Sequence, residues 1–301
     1  MITLDKIRIK MPLSFLGANP KRCEIKAPFY LKITYIENYA YITFTSKILL
    51  EDYPSMINKD NIDICLERVK EIAQIDLDIE CILNEGEVVS CDFTKDICIN
   101  DIDGINNDFS RIKNIIQLTI PNNQLYSCSL YRNGSFYVNK SVNTKKLRYR
   151  ITFYNKEKEI RLKRNREFLS MLDNREDVLS YFDNKLRVEA NAFTSTQIKR
   201  WLRIEQTSIH DVLNSEENPL RNSIQEVFLP INISETKISQ RAQDRLSLLK
   251  GLNWNMCAVE ANVREHESQN WKRALEPYRE LCALYSPYFN DIRHLDISEW
   301  V

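Results

Sequence analysis

Chemically capable side chains stand on the polar faces of three predicted strands. Asp92 lies in EVVSCDFTKDICI, Tyr154 in KLRYRITFY and Glu189 in LRVEANAF. A phenol can act as a nucleophile, and a carboxylate can act as a base or bind a hard divalent cation. Each also has an ordinary role, because strand carboxylates are more often solvated and strand tyrosines more often belong to the core or the sheet edge. The residues next to these three in the sequence indicate whether they have a catalytic or an ordinary role.

The surroundings of Tyr154 are cationic. Arg148 and Arg150 precede it on the same predicted strand face, and Lys156, Lys158 and Glu159 follow it. A free phenol has a pKa near ~10, so only about one in a thousand is ionised at neutral pH, and a tyrosine nucleophile needs help. Arg150, Lys156 and Lys158 are placed in the sequence to favour the phenolate.

The net charge of zero hides a strong segregation. Residues 51–110 hold 16 acidic and 4 basic side chains, whereas residues 111–170 hold 14 basic and 3 acidic ones. If the basic stretch forms one surface, that surface attracts a polyanion. From Arg132 onward it is interleaved with aromatics, a composition typical of single-stranded nucleic-acid binding, although core packing is the more common role for each ring. In the alternative, the two segments lie side by side and neutralise each other.

Several classes of function are excluded by composition. The five glycines cannot be assembled into a phosphate-binding loop or a dinucleotide-binding fingerprint. The eight cysteines form no C-x-x-C pair and are predicted to be buried, reduced thiols. No apolar stretch approaches the ~20 residues needed to span a bilayer, and charges interrupt the N-terminal region, so a cytosolic protein is expected.

Two strings of this sequence resemble a known signature. YRITFYNKEKEI, followed by KLRVEANAF, is similar to the paired motif of the rolling-circle replication initiators of the filamentous-phage gene II/X and plasmid replication family. VVSCDFTKDI resembles the earlier strand that carries that family's aspartate, with a weaker match. The likeness covers residues 87–195.

The resemblance implies a role for each matched residue. Tyr154 would be the nucleophile, with Lys156 and Glu159 as catalytic neighbours, and Asp92 and Glu189 would hold a divalent metal. DNA contacts are expected from Arg132, Arg148, Arg150 and Lys158. Many related initiators bind metal through a paired histidine motif, but the three histidines here are unpaired and distant from Tyr154 in the sequence. A carboxylate site favours Mg²⁺ or Mn²⁺.

The function implied is site-specific DNA nicking and strand transfer, leaving a 5′-phosphotyrosine and a free 3′-OH. Expected partners are single-stranded or supercoiled origin DNA, a host helicase and polymerase, and a second copy in a homodimer, with no membrane, in the cytoplasm of a bacterial host. A relaxase or transposase with the same chemistry, and a noncatalytic DNA-binding protein, are the alternatives.

The elements that must position these residues are predicted from periodicity. Strands are expected in the first 50 residues, at 87–99, around Asn133-Gly134 as a hairpin with a two-residue turn, at 146–154 and at 186–193. Helices are expected near 60–74 and 107–118, as one basic helix over 155–172, and throughout the chain beyond 195. The fold class is therefore α+β: an antiparallel-rich sheet nuclease domain with flanking helices at 1–195, then an all-helical domain at 196–301 for DNA recognition or self-association.

Overall fold

An antiparallel sheet organises the protein in the computed structural model, which describes residues 1–17, 28–98, 126–131, 134–143, 146–227, 239–266 and 270–285. Within those ranges the sheet has eight strands in the order β2-β3-β1-β4-β8-β7-β6-β5. The strands are β1 Leu4–Pro12, β2 Leu31–Ile36, β3 Tyr39–Thr45, β4 Glu87–Cys98, β5 Tyr126–Leu130, β6 Phe136–Asn143, β7 Lys146–Asn155 and β8 Lys185–Ala192. The α+β class predicted from the sequence is confirmed.

Helices precede, interrupt and follow the strands. They are α1 Ile62–Ala73, α2 Ile79–Glu85, α3 Lys156–Ile160, α4 Arg166–Ser170, α5 Arg175–Tyr181, α6 Ser195–Leu202, α7 Ile209–Asn214, α8 Pro219–Val227, α9 Gln240–Gly251, α10 Met256–His266 and α11 Trp271–Tyr285. Short 3-10 segments occur at Leu13–Phe15, Ser46–Ser55 and Lys163–Asn165. No helix within these described ranges is both long enough and apolar enough to cross a membrane.

The alternation of β7 and β8 separates two faces of the sheet. Tyr149, Ile151 and Phe153 are fully buried on one face, and Val188 and Ala190 of the neighbouring strand join them. Helices α1, α2 and α6 to α8 pack into the same apolar core, with Trp201 of α6 in edge contact with Phe93 and Tyr149. The face predicted to be apolar is therefore the main core of the protein.

The opposite face of the sheet is also covered. The segment Ser46–Ser55 and helices α3 to α5 form a second buried cluster around Tyr53, Phe168 and Phe182. We call the segment Ser46–Ser55 together with helices α3 to α5 the roof, because it covers polar side chains on the second face of β8. Arg187 is fully buried beneath it. The roof therefore forms part of the wall of a cavity on this polar face.

The basic helix predicted over residues 155–172 is broken in the structure. Leu162 has an extended backbone between α3 and the 3-10 segment Lys163–Asn165. The Asn165 side chain donates to the Glu159 carbonyl at 2.7 Å, taking an acceptor that a continuous helix would use. The prediction of one helix was wrong because such side-chain competition is invisible in the charge pattern.

The predicted hairpin forms, but its turn differs. Leu130 pairs with Phe136, and the Tyr131 amide donates to the Ser135 carbonyl. The connection therefore has three residues instead of two, with Gly134 at φ 81°. Asn133 of this turn and the helix predicted at 107–118 lie outside the described residues.

Helical chain after residue 195 belongs to two different cores. Helices α6 to α8 share the apolar core of the sheet through residues as late as Ile224. Helices α9 to α11 form a separate cluster that includes Leu249, Val259 and Leu275. The sheet core thus extends beyond the domain boundary predicted at 195.

Candidate functional site

A polar cavity of about 440 Å³ opens on the roofed face of strands β4, β8 and β7. Its lining includes Tyr154, Glu189, Asp92, Glu159 and Arg150, all of them predicted site residues. Lys158, another predicted residue, also lines it. The topology therefore gathers residues that are far apart in the sequence into one pocket.

Strand register explains why these residues meet. Asn191 of β8 is paired with Asp92 of β4 on one side and with Arg150 of β7 on the other. Two residues along β8, Glu189 is paired with Thr94 and Thr152 in the same way. Because side chains on one sheet face recur every second residue, the two rows point in the same direction.

Tyr154 and Glu189 are directly hydrogen bonded. The Tyr154 hydroxyl donates to Glu189 Oε1 at 2.6 Å. Burial and the charge of Glu189 raise the pKa of Tyr154 well above its usual value of 10. Burial, with the charges of Asp5 and Asp92, raises the pKa of Glu189 to about 7. The phenol is thus held neutral, with a carboxylate of raised basicity in place to take its proton.

The two half-buried carboxylates, Asp92 and Glu189, have the character of a hard-cation site. Burial raises the pKa of Asp92 to about 6, although its hydrogen bond with Asn191 and the charge of Lys6 lower it. Asp92 and Glu189 repel each other electrostatically, so a cation bound between them would be stabilised. In the described part of the chain, no group of three or more His, Cys, Asp or Glu side chains could hold a metal ion. Two carboxylates still fit Mg²⁺ or Mn²⁺, because Mg²⁺ is usually bound through one or two carboxylates, water and substrate phosphate.

Lys156 lies behind the cavity and does not line it. Its side chain is buried, with Nζ 5.6 Å from the centre of the Tyr154 ring and 5.3 Å from that of Tyr53. It also donates to Glu159 Oε2 at 2.5 Å. Lys156 therefore lies near the Tyr154 ring and binds the Glu159 carboxylate without facing the cavity. Its catalytic role stays a prediction.

Other predicted DNA-binding residues are spread more widely. Arg150 donates to Asn139 Oδ1 at 2.7 Å and lies over the Tyr137 ring on the cavity wall. Arg148 does not line the cavity, and Arg132 lies outside the described residues. Of the aromatics in the basic stretch, Phe136 and Tyr149 are buried, whereas Tyr131 is exposed.

A buried ion network supports the floor of the site. Arg187, paired in the ladder with Tyr154, donates to both carboxylate oxygens of Asp96 at 2.7 Å. It also donates to Asp5 at 2.9 Å and to the Tyr53 hydroxyl at 3.1 Å. Buried charges need such pairing to be stable, so this network fixes β8 against β4 and β1 beside the cavity.

Sequence reasoning missed Lys6, Asn191 and Arg164 as cavity residues. Asn191 had a usable signal, since it shares a strand face with Glu189. Lys6 had none, because its neighbourhood depends on the pairing of β1 with β4. Arg164 follows the break between α3 and α4, which no periodic pattern indicates.

No protein-family model, curated protein or solved structure matches the chain.

Proposed function

We propose that the protein is a rolling-circle replication initiator that nicks DNA with Tyr154, and that the sheet with its roof is the nuclease domain. The observation that carries the proposal is the 2.6 Å hydrogen bond from the Tyr154 hydroxyl to Glu189 inside a cavity bordered by cationic side chains. A phenol beside an acceptor of its proton is the arrangement that nucleophilic catalysis by tyrosine requires. Basic residues at the rim, such as Lys158 and Arg150, suit a phosphodiester substrate.

The proposed reaction conserves the phosphodiester bond energy. The Tyr154 oxygen attacks phosphorus while its proton passes to Glu189, the bond from phosphorus to the 3′ oxygen breaks, and that oxygen takes up a proton from solvent and leaves as a 3′-OH. The products are a 5′-phosphotyrosine and a primer end for a polymerase. Rejoining by a later 3′-OH needs no nucleotide hydrolysis, which agrees with the absence of a phosphate-binding loop from the sequence.

Asp92 and Glu189 would hold the Mg²⁺ or Mn²⁺ ion. When bound, the ion supplies positive charge that polarises the scissile phosphate. Asn191 keeps Asp92 oriented through its hydrogen bond.

The partners follow from the products. A 3′ end must be extended by a polymerase and the displaced strand unwound by a helicase, both supplied by a bacterial host in whose cytoplasm the protein would act. Helices α9 to α11 are assigned to origin recognition or dimerisation.

The decisive experiment is a covalent-adduct assay. Purified full chain is mixed with single-stranded oligonucleotides tiled across the replicon that encodes it, in Mn²⁺, and resolved on a denaturing gel. The wild type should form an adduct whose modified peptide, identified by mass spectrometry, contains Tyr154. Tyr154→Phe should form none while still binding DNA, and Tyr39→Phe, which changes an exposed tyrosine of β3 that does not line the cavity, should react normally. Adduct formation by Tyr154→Phe, or none by the wild type, contradicts the proposal.

A further inference from the structure

Arg164 is a cationic residue that lines the cavity but has no role in the reaction proposed above. It lies in the 3-10 segment Lys163–Asn165 and lines the cavity together with Tyr154 and Tyr137. Its side chain is 67% exposed, so solvent and substrate can reach it. Hydrogen bonding to Glu159 is the main cause that raises the pKa of Arg164, and the phenols of Tyr154 and Tyr137 on the same cavity wall contribute electrostatically.

One edge of the Arg164 guanidinium is held by Glu159. Nε and Nη2 donate to Glu159 Oε1 at 3.2 and 2.7 Å. Nη1 makes no hydrogen bond to the described residues. The fork geometry of a guanidinium lets it hold a carboxylate with one edge and offer further N–H donors to a second oxygen anion. Arg164 is thus pre-oriented with donor capacity left.

Glu159 is itself anchored. Lys156 occupies its Oε2, and Asn165 Nδ2 donates to its Oε1 at 3.1 Å. Although burial opposes ionisation, Lys156 and these hydrogen bonds lower the pKa of Glu159 to about 2. Glu159 is thus a charged carboxylate, only 13% exposed, whose position is fixed by hydrogen bonds from Lys156, Arg164 and Asn165.

The other cations near Tyr154 are less suited to the scissile phosphate. Lys156 is buried behind the ring and does not line the cavity. Arg150 uses Nε to bind Asn139 and lies over Tyr137. Lys6 and Lys158 also line the cavity, but no hydrogen bond or salt bridge to the described residues orients either ammonium group. Arg164 combines exposure with a fixed orientation in the cavity that it shares with Tyr154.

We propose that Arg164 is a catalytic residue that binds a non-bridging oxygen of the scissile phosphate and stabilises its negative charge in the transition state, with Glu159 as its positioning residue. The inference rests on the proposed function of Tyr154. Charge stabilisation by a preorganised donor acts mainly on the chemical step.

The test compares a charged with a neutral scissile linkage. Adduct formation is timed with a natural phosphate and with a methylphosphonate, which lacks one charged non-bridging oxygen. On the phosphate, Arg164→Ala should slow the rate at saturating DNA by about 10²–10³-fold with little change in half-saturation. On the methylphosphonate its rate should approach that of the wild type. Arg164→Lys should fall between, and Glu159→Gln should show a smaller defect with the same dependence on the linkage.

The matched control is Arg161→Ala. Arg161 lies three residues earlier, pairs with Asp183 at 3.6 Å and does not line the cavity, so its removal should leave the rate unchanged. An Arg164→Ala variant that is as fast as the wild type on phosphate, or equally defective on both linkages, overturns the inference while leaving Tyr154 as the nucleophile. Absence of an adduct with wild-type protein overturns both proposals together. Because Arg164 is exposed, its replacement should leave the urea unfolding midpoint near that of the wild type.

Discussion

Replacing Arg187 with methionine tests the ion network beneath the site. Methionine keeps an unbranched stem but removes every donor. The fully buried guanidinium donates to both oxygens of Asp96 and to Asp5. The Asp96 side chain is itself only 1% exposed, so water cannot replace the lost partner.

The expected loss of stability is large. Removing one member of a buried ion pair costs about 3–5 kcal/mol because the remaining charge is left uncompensated. For a domain of about 150–250 residues, 1 kcal/mol shifts the melting temperature by about 2–4 °C, so Arg187→Met should lower it by about 6–20 °C. The effect should exceed that of any exposed pair, each of which contributes about 0–1 kcal/mol.

Urea and thermal unfolding followed by tryptophan fluorescence measure this effect. The double variant Arg187→Met/Asp96→Asn removes the stranded charge and should recover at least half of the loss. Arg175→Met, which breaks an exposed pair with Glu176, is the matched control. The reasoning is refuted if Arg187→Met stays within about 1 kcal/mol of the wild type or if the double variant is no more stable than the single one.

Three further outcomes are expected. Glu189 is the proposed proton acceptor and a proposed ligand of the cation, so Glu189→Gln should slow adduct formation by about 10²–10⁴-fold; a single-turnover rate close to that of the wild type would contradict both roles. Trp201→Ala deletes a buried ring packed against two aromatic side chains of the sheet and should cost about 3–5 kcal/mol in urea unfolding; a loss below about 1 kcal/mol would contradict the core assignment. Lys156 and hydrogen bonds lower the pKa of Glu159 from 4.5 to about 2, so its stabilising contribution is present above pH 4.5 and lost as the pH falls through about 2. Unfolding measured from pH 6 to 2 should show weaker acid dependence for Glu159→Gln.

Strand alternation made much of the sheet predictable. The apolar sets in β7 and β8 were assigned to one face because side chains alternate along a strand, and their burial agrees. In β4 the predicted set was Val89, Cys91 and Phe93, but Val88 is buried in place of Val89, because the pairing with β1 shifts register there. The same alternation placed Tyr154, Glu189 and Asp92 on the other face, which the cavity lining matches. Local sequence is sufficient for these assignments because they depend on spacing alone.

Contacts between distant segments were not predictable. The burial of Arg187 depends on the roof formed by Ser46–Ser55 and helices α3 to α5, and nothing in RVEAN indicates that roof. The break at Leu162 depends on one side-chain hydrogen bond from Asn165. The pairing of β8 between β4 and β7 follows from the topology of the whole sheet.

That pairing sets an order of events during synthesis. Among the described strands β8 is the last in the sequence, yet it lies at the centre of the sheet and brings Glu189 between the strands that carry Asp92 and Tyr154. A nascent chain that ends before Lys185–Ala192 has two halves of a sheet with no strand to join them. In the proposed mechanism, Tyr154 therefore meets Glu189 and Asp92 only after the central strand has been translated and inserted, so a shorter nascent chain would lack the complete site.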